Sequence, residues 1–358
     1  MKKVLLTILK ALLITVISIA VIFGIYFIYV LSSYYRLDDN LELGIDNHGT
    51  NEEAVEAGRS YSIMTYNIGF GAYTSDYSFF MDGGTSSWAE SPERLDQNLH
   101  DIASVINSNS SDFLFLQEVD IDGTRTYHVN EYDLLTELIG SGSYVFAQNY
   151  DSSFLFYPIY QPHGANRAGI VTRSSVTAES ALRRSLPISE SLSKLLDLDR
   201  CYSITRIPVD NGKQLCLYNL HLSAYGSDAS VRAGQLNMLF ADLAKDYAAG
   251  NYVIAGGDFN HDLRDQRRDN SPEWAQRFPR EDLPEGFSFA FDVCEGPCNV
   301  SSDSCRDVDT GYIPGTTFTV TVDGLIVSDN VSVLTYENMD LGFAYSDHNP
   351  VYMEFELN

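Results

Sequence analysis

The clearest hydrophobic pattern in the chain is an apolar run near its N-terminus. Residues 11–31 are 21 consecutive positions without a charged side chain. At a rise of about 1.5 Å per residue, a helix of this length spans a hydrocarbon core of about 30 Å. A cleaved signal peptide has a shorter apolar stretch that ends at small residues. Because the near match, Ser18-Ile19-Ala20, lies inside the run, we predict an uncleaved anchor, with a cleaved signal as the alternative.

The residues around this run predict its orientation and the division of the chain. Lys2, Lys3 and Lys10 precede it, whereas Tyr26 and Tyr29 lie towards its far end, where an interfacial aromatic belt is expected. Lys and Arg favour the cytoplasmic side. We therefore predict a cytoplasmic N-terminus and anchor over residues 1–36, an acidic tether over 37–59, and one extracytoplasmic domain over 60–358.

Beyond the tether, apolar periodicity predicts both helices and strands. Ser91-Pro92-Glu93 is a helix start, and a stripe at helical spacing follows it. Further helices are predicted at 131–139 and 230–248, and 261–285 is a predicted surface loop. Strands are predicted at 61–66, 112–119, 168–172, 202–208, 214–222, 252–255, 317–327, 331–336 and 351–356. Strands and helices alternate early and strands dominate late, which favours a layered α/β domain over an all-β sandwich.

Polar residues recur where these apolar strands end. The set consists of Asn67, Glu118, Asn219, His221, Asp258, Asn260, Asp323, Asp347 and His348. Strand ends that face a crevice are a common place for a functional site. Any one of these residues could be an ordinary turn or surface residue, so the interpretation depends on their joint occurrence. Gly256-Gly257, just before Asp258, would also let the backbone approach a ligand closely.

The residue types indicate metal-assisted chemistry at phosphorus. Carboxylate and amide oxygens suit Mg²⁺, Mn²⁺ or Ca²⁺, and histidines can move protons or donate to a phosphoryl oxygen. The chain contains neither a G-x-S-x-G nucleophile motif nor a phosphate-binding P-loop motif. Attack of water on phosphorus with the help of a metal therefore fits the set best.

Charge and cysteine content add two expectations. The chain has 23 Lys and Arg against 49 Asp and Glu, a net charge of −26, and residues beyond 36 carry 19 − 49 = −30. Such a domain disfavours tight non-specific binding of nucleic acid.

The predicted hairpin register argues against a Cys201–Cys216 bridge, whereas one disulfide among Cys294, Cys298 and Cys305 is plausible.

Six stretches, in order, resemble the endonuclease/exonuclease/phosphatase superfamily. They are Met64-Thr65-Tyr66-Asn67-Ile68, Phe115-Leu116-Gln117-Glu118-Val119, Tyr218-Asn219-Leu220-His221-Leu222, Gly256-Gly257-Asp258-Phe259-Asn260, Val322-Asp323-Gly324-Leu325-Ile326 and Ser346-Asp347-His348-Asn349-Pro350. Members include deoxyribonuclease I, exonuclease III, inositol polyphosphate 5-phosphatases and neutral sphingomyelinases. The resemblance implies a four-layer αββα sandwich of two mixed β-sheets, with the site at one end.

The resemblance also implies a role for each matching residue. Asn67, Glu118 and Asp347 would bind the metal, which is Mg²⁺ with Mn²⁺ or Ca²⁺ as alternatives. His221 would hold or protonate a phosphate oxygen, while Asp258 and Asn260 would position water or the phosphate. His348, oriented by Asp323, would be a general base or charge stabiliser, and its division of labour with Asp258 stays open. Arg167 and Asn219 are further candidates for contact with the substrate phosphate.

These expectations lead to one preferred function and two alternatives. The preferred function is a metal-dependent hydrolase of phosphomonoesters or phosphodiesters outside the cytoplasm, acting on lipid-derived or small esters. A membrane-anchored nuclease of the same family is the first alternative, and a non-catalytic binding domain on this scaffold is the second. No obligate protein partner is evident from the sequence.

Overall fold

Two β-sheets packed face to face form the centre of the protein, seen in a computed structural model of the chain. The structure describes residues 2–50, 52–189, 191, 194, 199–223, 229–266, 271–272 and 274–358. The helices are α1 Lys2–Ser33, α2 Pro92–Asn109, α3 Glu131–Ile139, α4 Ala229–Ala248 and α5 Ala290–Val293. The strands are β1 Leu41–Glu42, β2 Asp46–His48, β3 Ser60–Asn67, β4 Phe113–Gly123, β5 Gly142–Asp151, β6 Asn166–Ser174, β7 Ser180–Ser185, β8 Cys201–Pro208, β9 Gln214–His221, β10 Tyr252–Asp258, β11 His261–Asp262, β12 Gln276–Arg277, β13 Phe287–Phe289, β14 Cys298–Asn299, β15 Cys305–Arg306, β16 Thr319–Val320, β17 Asp323–Ser328, β18 Val331–Asn338 and β19 Val351–Leu357.

The two large sheets are mixed, as the predicted sandwich requires. One has seven strands in the order β1-β7-β8-β9-β10-β17-β13, and the other has eight in the order β14-β18-β19-β3-β4-β6-β5-β2. Parallel pairs (β3 with β4, and β9 with β10) lie at the middle of the two sheets. Parallel neighbours end at the same edge of a sheet, so each sheet brings two strand ends to one end of the sandwich.

Apolar side chains fill three layers between the sheets and helices. Phe113 and Phe115 of the eight-stranded sheet meet Leu217 and Ile254 of the seven-stranded sheet in the central layer. The stripe on α2 covers the outer face of the eight-stranded sheet, and α4 covers the outer face of the other. The predicted four-layer αββα sandwich is therefore confirmed.

Local signals located several elements well. Ser91 caps α2, where its side chain accepts a hydrogen bond from the Arg94 amide at 3.1 Å, and α3 has the predicted bounds. The predicted strand 317–327 is divided into β16 and β17. At the break, the amides of Val322 and Asp323 donate to the Ser304 hydroxyl.

Two regions differ from the sequence predictions. The predicted tether, residues 37–59, runs along the domain: β1 pairs with β7, β2 pairs with β5, and Val55 is fully buried. These strands are exposed and only two or three residues long, so they carry no apolar alternation that a sequence pattern could reveal. The predicted surface loop 261–285 contains β11 and β12, while its residues 267–270 and 273 lie outside the described residues.

The N-terminal helix and the cysteines are the remaining features to compare with the sequence predictions. Helix α1 is long and apolar enough to cross a membrane, and Val30 is the residue in it that the domain buries. All five cysteines are free thiols, so the disulfide that the sequence allowed among Cys294, Cys298 and Cys305 is not formed.

A polar bridge joins the two sheets beneath the strand ends. The Asn219 amide donates to the Val171 carbonyl at 2.8 Å and to the Leu116 carbonyl at 3.3 Å. Its Oδ1 accepts a hydrogen bond from Gln117 Nε2 at 2.8 Å. Asn219 belongs to the seven-stranded sheet and its partners to the other, so this fully buried amide ties the sheets together.

We expect Asn219→Ala to destabilise the fold. The change removes the buried hydrogen bonds that Asn219 makes with Gln117 Nε2 and the Val171 carbonyl, which costs about 1–3 kcal/mol in the free energy of unfolding. Asn299→Ala, on an exposed strand, is the matched control and should stay within about 0.5 kcal/mol of the wild type. Urea unfolding of the full chain measures both, and equal stability of the two variants would contradict the bridge.

Candidate active site

The register of the seven-stranded sheet places three predicted site residues in one row. Strand β10 lies between β9, its parallel neighbour, and β17, its antiparallel neighbour. Asp258, the last residue of β10, is opposite His221 on one side and Asp323 on the other. Directly opposed residues on one face of a sheet are close enough for their side chains to interact. The strand ends thus bring an acid, a histidine and a second acid together.

Gly257 makes this close packing possible. Its φ is +137°, and a Cβ at this position would lie 2.1 Å from the Leu220 carbonyl oxygen. From the sequence, the glycine pair is expected to admit a ligand. In the structure Gly257 instead admits the neighbouring strand, because the atom in the way belongs to β9.

The eight-stranded sheet supplies Asn67 and Glu118 at the same end. Asn67 closes β3 opposite Gln117 of β4, and the register of β4 against β6 shifts between Leu116 and Val119. Glu118 lies in this bulge with a φ of +57°, an uncommon value for a residue with a Cβ. A bulge re-aims a side chain, and Asn67 Nδ2 lies 3.4 Å from Glu118 Oε1.

The loop before β19 joins both sheets to the site. The Ser346 hydroxyl donates to the Asn67 carbonyl at 2.8 Å and accepts from the His348 amide at 3.1 Å. Asp347 lies between these two anchored residues, with Oδ1 3.0 Å from the position of a Cβ on Gly69. Asp347 and His348 are therefore held beside Asn67, as the sequence predicted for this end of the sandwich.

Asp258 is the centre of the resulting cluster. Its Oδ2 accepts hydrogen bonds from Asn67 Nδ2 at 3.1 Å and from Asn260 Nδ2 at 3.2 Å. The Nε2 atoms of His221 and His348 lie 3.4 Å and 3.9 Å from the same oxygen. His221 Nε2 is also 3.9 Å from Glu118 Oε1. With Asp323, which is opposite Asp258, residues from six separate stretches of sequence thus meet in one space.

Burial perturbs the carboxylates of this cluster. It raises the pKa of Asp258 to about 7, and the nearby Asp323 adds to the effect. It also raises the pKa of Glu118, and the charge of Asp347 raises that pKa further. Shifts of this kind collect where a fold gathers groups for chemistry.

The two histidines are perturbed in opposite directions. Burial lowers the pKa of His221 well below its ordinary value, so this ring is neutral. Burial, the largest single effect, would lower the pKa of His348, but the negative charge of Asp323, together with smaller contributions from Cys305 and Asp347, raises that pKa well above the ordinary value. The Asp323 carboxylate lies 2.7 Å from His348 Nδ1 and is buried with it. The site therefore holds one neutral imidazole and one imidazolium.

Two candidates for contact with the substrate phosphate lie elsewhere. Arg167 is 46% exposed and forms an ion pair with Asp151 on the neighbouring strand β5, at 3.3 Å. Asn219 is fully buried, and its amide is used by the bridge between the sheets. Neither side chain joins the cluster around Asp258.

Some residues that support the site carried no sequence signal. Ser304 lies in a loop of the chain, and its hydroxyl accepts hydrogen bonds from the amides of Val322 and Asp323, both at 2.9 Å. Tyr73 is buried beside Asp347 and Glu118, whose charges add to the effect of burial in raising its pKa. Serine and tyrosine are common in this chain, so only their position in the fold distinguishes them.

The donor set fits a hard divalent cation. Asp258, Asp323 and His348 offer ligand atoms within 4.8 Å of one another, and Asp323 Oδ1 is buried without a hydrogen-bond partner. Glu118 and Asp347, next to Asn67, form a second group of hard oxygens in the same cavity. Carboxylate oxygens gathered in this way repel one another, and a cation of the Mg²⁺ or Ca²⁺ type relieves that repulsion.

Known proteins resemble this chain in sequence and in fold. The model of a family described as the endonuclease/exonuclease/phosphatase family matches residues 64–348. No curated protein matches the chain significantly. An endonuclease/exonuclease/phosphatase from Beutenbergia cavernae is similar in structure (TM-score 0.56, 17% identity, 84% of this chain and 72% of that chain). A family protein from Bacteroides thetaiotaomicron shares the fold, with a TM-score of 0.54 and 16% identity, over 84% of this chain and 96% of that chain. A mannosyl-6-phosphatase from the same species also shares it, with a TM-score of 0.51 and 16% identity, over 82% of this chain and 99% of that chain.

We expect Asp323→Asn to lower the pKa of His348, because the carboxylate that stabilises the imidazolium is removed. In the wild type the raised pKa stabilises the fold below the ordinary histidine pKa, and this contribution is lost as pH rises through the folded-state value. NMR titration of ring-labelled histidine measures the change. Asp329→Asn, on an exposed turn, is the matched control. An unchanged His348 titration in Asp323→Asn would contradict the assignment.

Proposed function

The chain belongs to the endonuclease/exonuclease/phosphatase family, and from this premise we propose that it hydrolyses phosphate esters at the cluster around Asp258. Members of this family are hydrolases that act on phosphate esters. The observation that carries the proposal is the position of Asp258 Oδ2. Asn67, Asn260, His221 and His348 all approach this one oxygen within 3.9 Å.

The proposed roles follow from the protonation states. Asp258, with a pKa of about 7, is suited to accept a proton from an attacking water near neutral pH. His348 is charged and would stabilise the negative charge that develops on phosphorus oxygens. His221 is neutral and would orient a phosphate oxygen from the opposite side of Asp258. Asn260 would fix the carboxylate of Asp258 for this task.

Asn67, Glu118 and Asp347 would hold the metal in this proposal. Asn67 and Glu118 belong to the eight-stranded sheet, and Asp347 lies beside them. Asp323, on the seven-stranded sheet, is instead paired with His348. A bound Mg²⁺ would neutralise phosphate charge and stabilise the leaving oxygen, and Mn²⁺ or Ca²⁺ could take its place. The raised pKa of Glu118 supports this assignment, since a cation would offset both burial and the nearby Asp347 charge.

We propose that α1 anchors the enzyme in a membrane with the domain outside the cytoplasm. Lys2, Lys3 and Lys10 precede its uncharged run, which supports a cytoplasmic N-terminus. An anchored enzyme acts most readily on substrates at or near the same membrane. We therefore favour lipid-derived or small phosphate esters as the substrate class.

The charges around the site favour small or lipid-derived esters over nucleic acid. Arg125 and Arg200 act on the pKa values of Glu118 and His221, yet both are buried. The Arg125 guanidinium also binds the Asp120 carboxylate with two hydrogen bonds. Neither arginine therefore contributes an exposed basic surface that could track a nucleic-acid backbone. The fold shared with a mannosyl-6-phosphatase is compatible with phosphomonoesters as substrates.

We expect Glu118→Gln to abolish metal binding without unfolding the domain. Mg²⁺ should raise the Tm of the wild type and of the control Glu137→Gln, whose carboxylate is exposed on α3, but not that of Glu118→Gln. Without metal, Glu118→Gln should be at least as stable as the wild type, because a carboxylate with a raised pKa is removed. Thermal unfolding with Mg²⁺ or EDTA tests this, and a normal Mg²⁺ response in Glu118→Gln would refute the ligand set.

Turnover assays on the full-length chain in detergent test the function itself. Sphingomyelin, inositol phosphates, a sugar phosphate, single-stranded DNA, plasmid DNA and RNA should be compared with Mg²⁺ and with EDTA. We expect EDTA-sensitive hydrolysis of a lipid or small ester, and Glu118→Gln should lower it by about two orders of magnitude or more. Cleavage of nucleic acid alone would favour the nuclease alternative, and no turnover would favour a binding domain.

A further inference from the structure

A cluster of exposed apolar side chains lies in the segment between β5 and β6. We call residues 154–160 (Phe-Leu-Phe-Tyr-Pro-Ile-Tyr) the aromatic loop. Phe156, Tyr157, Ile159 and Tyr160 are 58%, 70%, 88% and 70% exposed. No Asp, Glu, Lys or Arg occurs from residue 152 to 166, although 20% of the chain is charged. An exposed apolar surface without charged residues marks a site of contact with another protein, a ligand or a membrane.

The aromatic loop is built into the domain rather than loosely attached. Leu155 exchanges two backbone hydrogen bonds with Gly164, each of 3.0 Å. The Tyr160 hydroxyl donates to the Thr85 carbonyl at 2.6 Å, and Trp88 Nε1 donates to the Pro162 carbonyl at 2.7 Å. The backbone is therefore held while the apolar side chains point outward.

The aromatic loop is also bound to the end of α1. The Tyr26 hydroxyl donates to the Phe154 carbonyl at 3.0 Å, and the Phe154 amide donates to the Tyr29 hydroxyl at 3.2 Å. Below them the hydroxyls of Ser33 and Ser153 are 2.5 Å apart, and the rings of Tyr26 and Phe156 meet edge to face. The loop and the helix thus share one level along the helix axis.

With α1 spanning a bilayer as proposed above, that level lies near the outer surface of the bilayer. About 20 helical residues span the hydrocarbon core, and the uncharged run covers residues 11–31. The contacts at Tyr26 and Tyr29 therefore lie within about two turns of the outer end of the span. Tyrosine and other aromatic side chains favour this interfacial region. An apolar loop fixed at this height faces lipid rather than water.

The aromatic loop is connected to the active site through packed rings. Tyr157 contacts Phe80, and His163 contacts both Phe80 and Phe79, with ring centroids 5.6–6.1 Å apart. Phe79 in turn packs against Tyr73, the buried residue beside Asp347 and Glu118. A single aromatic wall thus extends from the loop to the site.

We propose that the aromatic loop inserts into the leaflet from which α1 emerges and so holds the active site against the lipid headgroups. This proposal rests on the proposed function for its substrate class, a phosphate ester displayed at the membrane surface. The contact is apolar, so lipid charge and salt do not strengthen it, and the net charge of −26 disfavours anionic lipid.

Tryptophan fluorescence of the full chain tests the insertion without requiring activity. Tyr157→Trp and the control Val293→Trp are each reconstituted in phosphatidylcholine vesicles. Val293 is 40% exposed on α5, which contacts β13 and β18, far across the sheet order from β5. We expect the added Tyr157→Trp emission to be blue-shifted and quenched by lipids brominated near the headgroup, at low and high salt alike. Quenching no greater than in Val293→Trp would overturn the proposal.

An activity measurement then separates this proposal from the function. The double variant Phe156→Ser, Ile159→Ser should lower kcat/KM on sphingomyelin in phosphatidylcholine vesicles by about tenfold or more. Hydrolysis of soluble bis(p-nitrophenyl) phosphate should be unchanged, because neither residue touches the site. An equal loss on both esters, or none on vesicles, would overturn the substrate class. Quenching without hydrolysis of these two esters or of any ester in the turnover assays would leave the membrane contact standing and refute the proposed function.

Discussion

The packing of β10 between β9 and β17 is the constraint on which the site depends. It places Asp258 opposite both His221 and Asp323, and it requires that residue 257 have no side chain. A slip of one residue in either register would turn the site side chains to the opposite face of the sheet. The same strands carry the apolar core residues Leu217 and Ile254. Core packing and site geometry are thus set by one arrangement of strands, so the site needs no separate scaffold.

This arrangement also places four acidic side chains close together. Asp258, Asp323, Glu118 and Asp347 share one end of the sandwich, and burial disfavours their charged forms. His348 compensates Asp323 through a short charge-assisted hydrogen bond, while His221 stays neutral. Negative charge therefore remains in excess on the side of Glu118. A cavity with this balance favours a cation, and a cation there in turn attracts phosphate oxygens.

Much of this could be predicted from the sequence, for physical reasons that differ by element. Helix α2 was found because its cap, Ser91, and its apolar stripe are both local signals. The meeting of Asn67, Glu118, Asp258 and His348 was predicted because each follows or precedes an apolar strand, although their roles stay predictions. Asn219 has the same strand-end signal. The groups that it bonds on the other sheet depend on the register of that sheet, which the local sequence does not show.

Other features could not be read from local patterns. Strands β1 and β2 are short and exposed, and they form because an edge strand offers unpaired backbone groups. The aromatic loop is a similar case, since nothing in its local sequence shows that the fold leaves four of residues 154–160 exposed. Their exposure has a meaning only beside α1, which is more than 100 residues away in sequence.

The acidic surface and the aromatic loop together suggest how such a domain can work at a membrane. A net charge of −26 repels anionic lipid, so electrostatic attraction cannot hold the domain against an anionic membrane surface. Helix α1 alone would leave the domain free to rotate about its attachment. The hydrogen bonds that Phe154 makes with the Tyr26 and Tyr29 hydroxyls remove that freedom, and the apolar side chains that follow Phe154 select the face of the domain that meets the bilayer. Orientation of the site would then come from apolar contact, which neither the charge of the domain nor the salt concentration opposes.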